Sequence, residues 1–140
     1  MTRPLSDPEL ALRYEVSKTP FAEGGMGQVW EAYDHNLKRA VAVKSLRPAL
    51  LDDANARRRL SREAELLASL DHAGVVPIYE RYLLEEPPCS VMKLLRGQTL
   101  QAFLGALPRR DSGSLRDVRS IREGLRILIR VSETIEHAHE

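Results

Sequence analysis

The segment AEGGMGQVWEAYD (residues 22–34) joins two patterns with different physical meanings. Its first half holds three glycines around a methionine, and its second half alternates in polarity as a β-strand does. Glycine weakens a strand interior and packs no side chain there. A turn without side chains, however, lets backbone N–H groups approach an anion closely. The segment therefore predicts a hairpin whose turn either serves the fold alone or covers a phosphate group.

The residues after the glycines separate two kinds of phosphate-binding loop. A dinucleotide-binding G-x-G-x-x-G opens a helix. Here QVWEAYD (28–34) brings a β-branched residue and two aromatic residues in alternation, which is typical of a strand. We therefore predict a strand, a glycine turn and a second strand over residues 13–34, with Val29, Glu31 and Tyr33 on one face. The glycines alone leave an ordinary hairpin equally open.

A lysine lies within the next predicted strand, AVAVKSL (40–46). Alternation puts Lys44 on the same face as Ala42 and Leu46. A lysine among apolar side chains needs an ionic partner or an anion, unless the strand is at an edge and the ammonium group reaches solvent. Both interpretations of Lys44 stay open at this point.

A glutamate falls on the apolar face of a helix predicted over residues 52–70. Glu63 lies within the stripe that packs against the protein, whereas Glu65 is predicted to point into solvent. The stripe consists of Leu60, Ala64, Leu67 and Leu70. A carboxylate on a packing face is unfavourable unless it is paired. We expect Lys44 to be the partner of Glu63, and the alternative is that Glu63 reaches water at the edge of the stripe.

The remaining pattern completes an α+β fold. Residues 71–84 predict two short strands or a strand and a loop, and residues 89–95 predict another strand. Two helices follow, over residues 99–107 and 120–140. The order predicts a five-stranded antiparallel sheet with one inserted helix, followed by two helices. Residues 1–12 are expected to form a flexible lead-in.

Composition limits the class of protein. The chain has 140 residues, 43% apolar and 29% charged, with a net charge of +1, which is typical of a globular domain and argues against nucleic-acid binding. The single cysteine, Cys89, excludes an internal disulfide and fits a reducing compartment. No apolar run has the length of a signal peptide or a membrane span. We expect a cytoplasmic location and no membrane segment. His137 and His139 do not converge on one helix face, so no metal site is expected.

Three motifs in order resemble the N-terminal lobe of bacterial-type serine/threonine protein kinases. They are AEGGMGQV (22–29), VAVK (41–44) and the glutamate of SREAELL (61–67). The resemblance implies a partial kinase domain from residue 13 onward. Its N-lobe, residues 13–96, would hold the five-stranded sheet and one αC-type helix. Residues 97–140 would be the start of an incomplete helical C-lobe.

The resemblance also implies roles for individual residues. Gly24, Gly25 and Gly27 would cover the phosphates of ATP, and catalytic Lys44 would bind the α- and β-phosphates while paired with Glu63. Phe21 and Val29 would lie above the adenine with Ala42, Met92 would close the back of the pocket, and the backbones of Lys93 and Leu95 would hydrogen-bond the base. The full set of ATP-binding residues implied is Phe21, Ala22, Glu23, Gly24, Gly25, Met26, Gly27, Gln28, Val29, Ala42, Lys44, Met92, Lys93 and Leu95.

Some features depart from the kinase pattern. Ala22 replaces the first glycine of the loop, which is tolerable if its φ angle is negative. Lys93 replaces an acidic residue common in the hinge, where the backbone makes the contact. The family's catalytic loop and its Mg²⁺ ligands do not occur in these 140 residues. Mg²⁺ is therefore implied by the family but not by ligands of this chain, and the chain alone is expected to be inactive.

The resemblance implies transfer of the ATP γ-phosphate to serine or threonine hydroxyls of a protein substrate that the sequence does not identify. We expect these residues to be the front part of such an enzyme. The alternatives are a non-catalytic nucleotide-binding or scaffold module of pseudokinase type, and the product of a damaged reading frame.

Overall fold

The computed structural model describes residues 3–106 and 116–139. The predicted end of the helix at Leu107, and residue 140, lie outside the described residues. The chain divides into two compact units. One comprises Met1–Asp71 and Val76–Leu95, and the other comprises His72–Val75 and Arg96–Glu140.

The first unit is an antiparallel sheet with two helices. Five strands form the path β1-β3-β4-β6-β5, and the short β2 pairs with β3 beside that path. The elements are α1 (Pro8–Arg13), β1 (Tyr14–Val16), β2 (Ala22–Glu23), β3 (Gly27–Asp34), β4 (Arg39–Leu46), a 3₁₀ turn (Pro48–Leu50), α2 (Ala54–Ser69), β5 (Ile78–Tyr82) and β6 (Cys89–Lys93). The path confirms the predicted five-stranded sheet. The sixth strand arises because the first arm of the hairpin bends between Val16 and Ala22, where Pro20 has no N–H to donate.

One face of the sheet carries the main core. Trp30 of β3, Val41 and Val43 of β4, and Val91 of β6 are fully buried there. Antiparallel partners share a face, and the registers of these strands place the four side chains on the same side. The alternation predicted for residues 28–46 is therefore confirmed, and Ala42, Lys44 and Leu46 are left for the opposite face.

Helix α2 packs on that opposite face. Its first turn is capped by Asp53, whose carboxylate accepts hydrogen bonds from the N–H groups of Asn55 (2.8 Å) and Ala56 (3.2 Å). Ala56 and Leu60 pack with Leu46 of β4 in a second apolar cluster. The predicted helix over residues 52–70 is confirmed, and it begins at Ala54 because Asp53 is its cap.

The segment predicted as a flexible lead-in over residues 1–12 contains the start of helix α1 in its described part. Asp7 caps α1 by accepting from the N–H of Glu9 (2.9 Å), and Pro8 opens the helix. Leu5 is buried in the main core, and Leu10 packs against it. These two leucines are widely spaced among polar residues and show no recognisable period, so the sequence did not predict their burial.

A buried ion pair joins the N-terminal segment to the sheet. Arg13 donates to both carboxylate oxygens of Asp34 (3.3 and 3.1 Å) and also binds Glu80 of β5 (3.0 Å). Asp34 additionally accepts from the N–H groups of Asn36 (3.0 Å) and Leu37 (3.2 Å), which fixes the β3–β4 turn. Burial alone would raise the pKa of Asp34, but the Arg13 guanidinium and the two N–H groups hold it below its ordinary value.

The second unit contains α3 (Leu100–Ala106) and α4 (Arg116–His139). Helix α4 begins four residues before the predicted Ser120. The His72–Val75 segment contacts α4, since the ring of His72 stacks on that of His137 with centroids 5.0 Å apart. Several large apolar side chains of α4 are exposed, namely Leu125, Leu128, Ile129, Val131 and Ile135. Within residues 3–106 and 116–139, no helix is both long and apolar enough to cross a membrane.

We predict that acid unfolds the first unit through the buried carboxylate of Asp34 and the half-buried carboxylate of Glu80. The pKa of Asp34 and that of Glu80 are lowered in the folded state, so the unfolded chain binds more protons below about pH 4. The stabilisation is complete above that pH and is lost as the pH falls through the folded-state values. Asp34→Asn should lower the free energy of unfolding at pH 7 by about 1 to 3 kcal/mol and flatten its dependence on acid pH, measured by urea titration.

The matched control is Glu15→Gln, which affects an exposed carboxylate 3.4 Å from His35. It should change the free energy of unfolding at pH 7 by less than about 0.5 kcal/mol. Equal effects of the two substitutions would contradict the importance assigned to Asp34.

Candidate nucleotide-binding site

The glycine segment forms the turn of the β2–β3 hairpin. Ala22 pairs with Val29 and Glu23 pairs with Gln28. The N–H of Gly24 donates to the carbonyl oxygen of Gly27 (2.8 Å) and closes the turn. The Gln28 side chain donates to the Glu23 carboxylate across the hairpin (2.7 Å). The predicted strand, glycine turn and strand are therefore confirmed.

The glycines of this turn differ in what the fold requires of them. A Cβ at Gly27 would lie 2.8 Å from the carbonyl oxygen of Ser45 and 3.5 Å from Cε of Lys44, so the sheet itself excludes a side chain there. A Cβ at Gly25 would meet no atom within 4 Å, and one at Gly24 would meet only the Gly27 carbonyl oxygen at 4.0 Å. Among the described residues, the glycine with a positive φ is Gly97, so neither Gly24 nor Gly25 is needed for backbone conformation. The fold therefore gives no reason for the absence of a side chain at Gly24 and Gly25.

Ala22 fits its position without strain. It lies in extended β2, and the non-glycine residues with positive φ in the described chain are Leu5 and Lys38. The condition under which alanine could replace the first loop glycine is therefore met.

The sheet brings several predicted site residues to one face. Lys44 is the cross-strand partner of Val29 on one side and Ser90 on the other. Two residues before Lys44 on the same strand, Ala42 is the partner of Met92. Val29, Ala42, Lys44 and Met92 consequently share the face opposite the main core.

Lys44 and Glu63 form an ion pair. The Lys44 Nζ binds Oε1 of Glu63, and the two side chains are 23% and 37% exposed. The predicted pairing is confirmed, and neither residue is a lone charge that simply reaches solvent. Helix α2 delivers the carboxylate because Leu60 and Ala64, on its buried stripe, hold Glu63 toward β4.

Two residues predicted to hydrogen-bond the base lie at or just after the end of β6, namely Lys93 and Leu95. The N–H of Lys93 donates to the carbonyl oxygen of Pro77 (3.0 Å). Met92 is half-buried at this end of the strand, and the side chains of Lys93, Leu95 and Phe21 are exposed.

Glu65 has a partner that the sequence did not reveal. Its side chain is exposed to solvent as predicted, and its carboxylate also binds Arg81 of β5. Arg81 also donates to the hydroxyl oxygen (3.1 Å) and the carbonyl oxygen (3.3 Å) of Ser61. No pattern in the sequence indicated which face of β5 would carry Arg81.

The carboxylates that the structure describes do not by themselves fit a Mg²⁺ site. Magnesium takes carboxylate oxygens in near-octahedral geometry. Glu63 is already paired with Lys44. Within the part of the chain that the structure describes, no group of three or more His, Cys, Asp or Glu side chains is placed to hold a metal ion.

Comparison with known proteins identifies the family. The family model described as protein tyrosine and serine/threonine kinase matches residues 16–140. This chain belongs to the protein kinase family. Among curated relatives of this kinase chain, the serine/threonine-protein kinase PknD of Chlamydia pneumoniae is 36% identical over 129 residues, and PknD of Chlamydia caviae is 33% identical over 129 residues.

Solved structures agree with the kinase fold. The kinase domain of Mycobacterium tuberculosis PknI aligns with a TM-score of 0.64 at 24% identity, covering 91% of this chain and 48% of that domain, which supports the fold alone. A structure of the PpkA-294 apo form aligns with a TM-score of 0.57 at 26% identity, covering 69% of this chain and 40% of that one. The kinase chain spans 14% of the length of the two PknD relatives, while they match 91% of it. The chain is therefore similar to the N-lobe and the first C-lobe helices of bacterial serine/threonine kinases.

We predict that alanine lowers the free energy of unfolding at Gly27 but not at Gly25. Gly27→Ala should lower the free energy of unfolding by about 1 to 3 kcal/mol, because its Cβ would press on the Ser45 carbonyl oxygen. Gly25→Ala is the matched control and should change it by less than about 0.5 kcal/mol, because nothing lies near its Cβ. Chemical denaturation of the two variants measures both. A destabilised Gly25→Ala variant would show that the fold, rather than a ligand, explains that glycine.

Proposed function

We propose that this chain supplies the ATP-binding part of an enzyme that transfers the γ-phosphate of ATP to serine or threonine hydroxyls of proteins. The observation that carries the proposal is the Lys44–Glu63 ion pair on the same sheet as a glycine turn that the fold does not require at Gly24 and Gly25. The transferred group is polyanionic, and its transfer depends on positioning and on neutralised charge.

In this proposal the catalytic pair acts on the phosphates. Lys44 binds the α- and β-phosphates as a point charge, and Glu63 holds its ammonium group in place. The turn extends over the Lys44 stem, as the 3.5 Å between Lys44 Cε and a Cβ placed at Gly27 supports. The N–H of Gly25 is then free of side chains that would keep a phosphate away, whereas the N–H of Gly24 is held by the Gly27 carbonyl oxygen. Ala22, Glu23, Met26 and Gln28 complete the walls of the turn.

The adenine would lie at the other end of the same face. Val29 and Ala42 offer an apolar surface on strands β3 and β4, and Phe21 adds an exposed aromatic ring at the entrance. Met92 would close the back of the pocket. The carbonyl oxygen of Lys93 would accept from the amino group of adenine, and the N–H of Leu95 would donate to the ring.

Phosphoryl transfer needs groups beyond this chain. The general base and the Mg²⁺ ligands of the family are not among its residues, so we expect the chain alone to bind nucleotide without transferring phosphate. When bound in the complete enzyme, Mg²⁺ would neutralise charge on the phosphates. We propose a cytoplasmic enzyme whose partners are ATP and a protein substrate rather than nucleic acid.

Lys44→Met tests the proposal in a protein that contains this chain and a complete kinase domain. We expect phosphorylation of a protein substrate to fall by about 10²-fold or more, because the α- and β-phosphates lose their cation. Incorporation of ³²P from labelled ATP measures it. Lys18→Met is the control, since Lys18 is exposed on the loop after β1 and should leave the rate unchanged.

Two results would contradict the proposal in different ways. Wild-type phosphorylation by the Lys44→Met variant would remove Lys44 from the role given to it. ATP binding without any transfer by the complete wild-type protein would favour the non-catalytic nucleotide-binding module instead.

A further inference from the structure

A single row of residues crosses the sheet beneath helix α2. Val29 of β3 pairs with Lys44 of β4, Lys44 pairs with Ser90 of β6, and Ser90 pairs with Arg81 of β5. Directly paired residues of antiparallel strands point to the same face. Lys44 and Arg81 therefore stand two strands apart in one row, and both reach the same helix.

The two cations bind carboxylates on opposite sides of α2. Lys44 binds Glu63, and Arg81 binds Glu65. Between these glutamates lies Ala64, which is 3% exposed and faces the sheet. Successive residues of an α-helix are separated by about 100°, so Glu63 and Glu65 lie on either side of the line of contact. Rotation of α2 about its axis in one direction would lengthen the distance between Glu63 and Lys44. Rotation in the other direction would lengthen the distance between Glu65 and Arg81.

An irregularity in β5 places the second cation. The pairing shifts by one residue between Ile78 and Glu80, so that Ile78 opposes Met92 while Glu80 opposes Val91. With regular pairing Glu80 would oppose Ser90 and would face α2. The shift sends Glu80 to the core face, where it binds Arg13, and turns Arg81 toward α2. A one-residue shift inverts the faces of a strand, and here it exchanges an anion for a cation beside Glu65.

We propose that Arg81 is a positioning residue for the nucleotide site, which fixes the rotation of α2 so that Glu63 meets Lys44. The proposal rests on the proposed function, since Lys44 is taken to bind phosphates. Arg81 holds α2 at more than one point, because it contacts the Glu65 carboxylate and both the hydroxyl and carbonyl oxygens of Ser61. Its ion pair and these hydrogen bonds go to α2 rather than to Lys44 or Glu63, so it acts through the helix.

The test measures nucleotide binding by the 140-residue chain with fluorescent ATP and competing adenosine. Arg81→Gln and Glu65→Gln should each weaken ATP binding by about threefold to tenfold, because Lys44 is less well held. Adenosine affinity should stay unchanged, since adenosine has no phosphate for Lys44 to bind. A loss of general stability would weaken the binding of ATP and adenosine alike. The ratio of the two affinities therefore distinguishes an effect on the position of Lys44 from an effect on folding.

The chain offers a matched control for the loss of an exposed ion pair on α2. Glu86 binds Arg57, whose side chain is 34% exposed, as is that of Arg81, and the two glutamates are 63% and 58% exposed. Glu86→Gln should leave ATP binding unchanged because the pair lies outside the row. The exchange of charges in Arg81→Glu with Glu65→Arg should restore part of the ATP binding, because it re-forms the ion pair but not the hydrogen bond to the Ser61 carbonyl oxygen.

A second measurement does not depend on nucleotide. The rate at which an amine-reactive reagent modifies Lys44, compared with exposed Lys18 in the same sample, reports whether Glu63 still shields the ammonium group. Arg81→Gln and Glu65→Gln should raise this ratio, and Glu86→Gln should not.

The outcomes distinguish the two proposals. If Lys44→Met abolishes ATP binding while Arg81→Gln and Glu65→Gln bind ATP and react at Lys44 as the wild type does, the role of Arg81 is overturned and the proposed function stands. Equal losses of ATP and adenosine affinity would also overturn it. If the wild-type chain binds ATP no better than Lys44→Met, the proposed function is overturned and the role of Arg81 falls with it.

Discussion

The ion pair between Lys44 and Glu63 is the constraint on which the site depends. An ammonium group on a sheet face and a carboxylate on a packing helix are each unfavourable alone. Together they attach α2 to β4 at the place where the sheet, the helix and the glycine turn meet. Because both side chains remain partly exposed, the pair is open to solvent and to a ligand. A fully buried pair would hold the helix as firmly but could not act on a phosphate.

One face of the sheet forms the main core, and the other is the face that we propose binds the nucleotide. Trp30, Val41, Val43 and Val91 fill one face, and the Arg13–Asp34 pair fastens the N-terminal segment beside them. The second face packs against α2 through Leu46, and in the proposed function it also carries the side chains that contact the nucleotide. The same division occurs within the turn, where Gly27 serves the sheet and Gly25 has no structural reason to be glycine.

The kinase family and the N-lobe portion follow from matches along the chain, whereas the activity of the whole protein does not. The match to PknD spans nearly all of this chain but a small part of its relatives. In the proposed function these residues bind a nucleotide, and their chemistry is charge neutralisation rather than proton transfer. Their proposed contribution to a complete enzyme is to position the phosphates.

The sequence by itself determined the strand alternation, the helix with Glu63 on its apolar stripe and the glycine turn, because each depends on neighbours a few residues apart. It also indicated the Lys44–Glu63 pair, since two unfavourable charges on facing elements satisfy each other. Only the tertiary structure decided that Leu5 is buried in the core and that Leu10 of α1 packs against it, because these contacts join residues distant in sequence. The tertiary structure also decided the position of Arg81. A one-residue shift in strand pairing, which local periodicity does not reveal, determines that Arg81 rather than Glu80 faces α2.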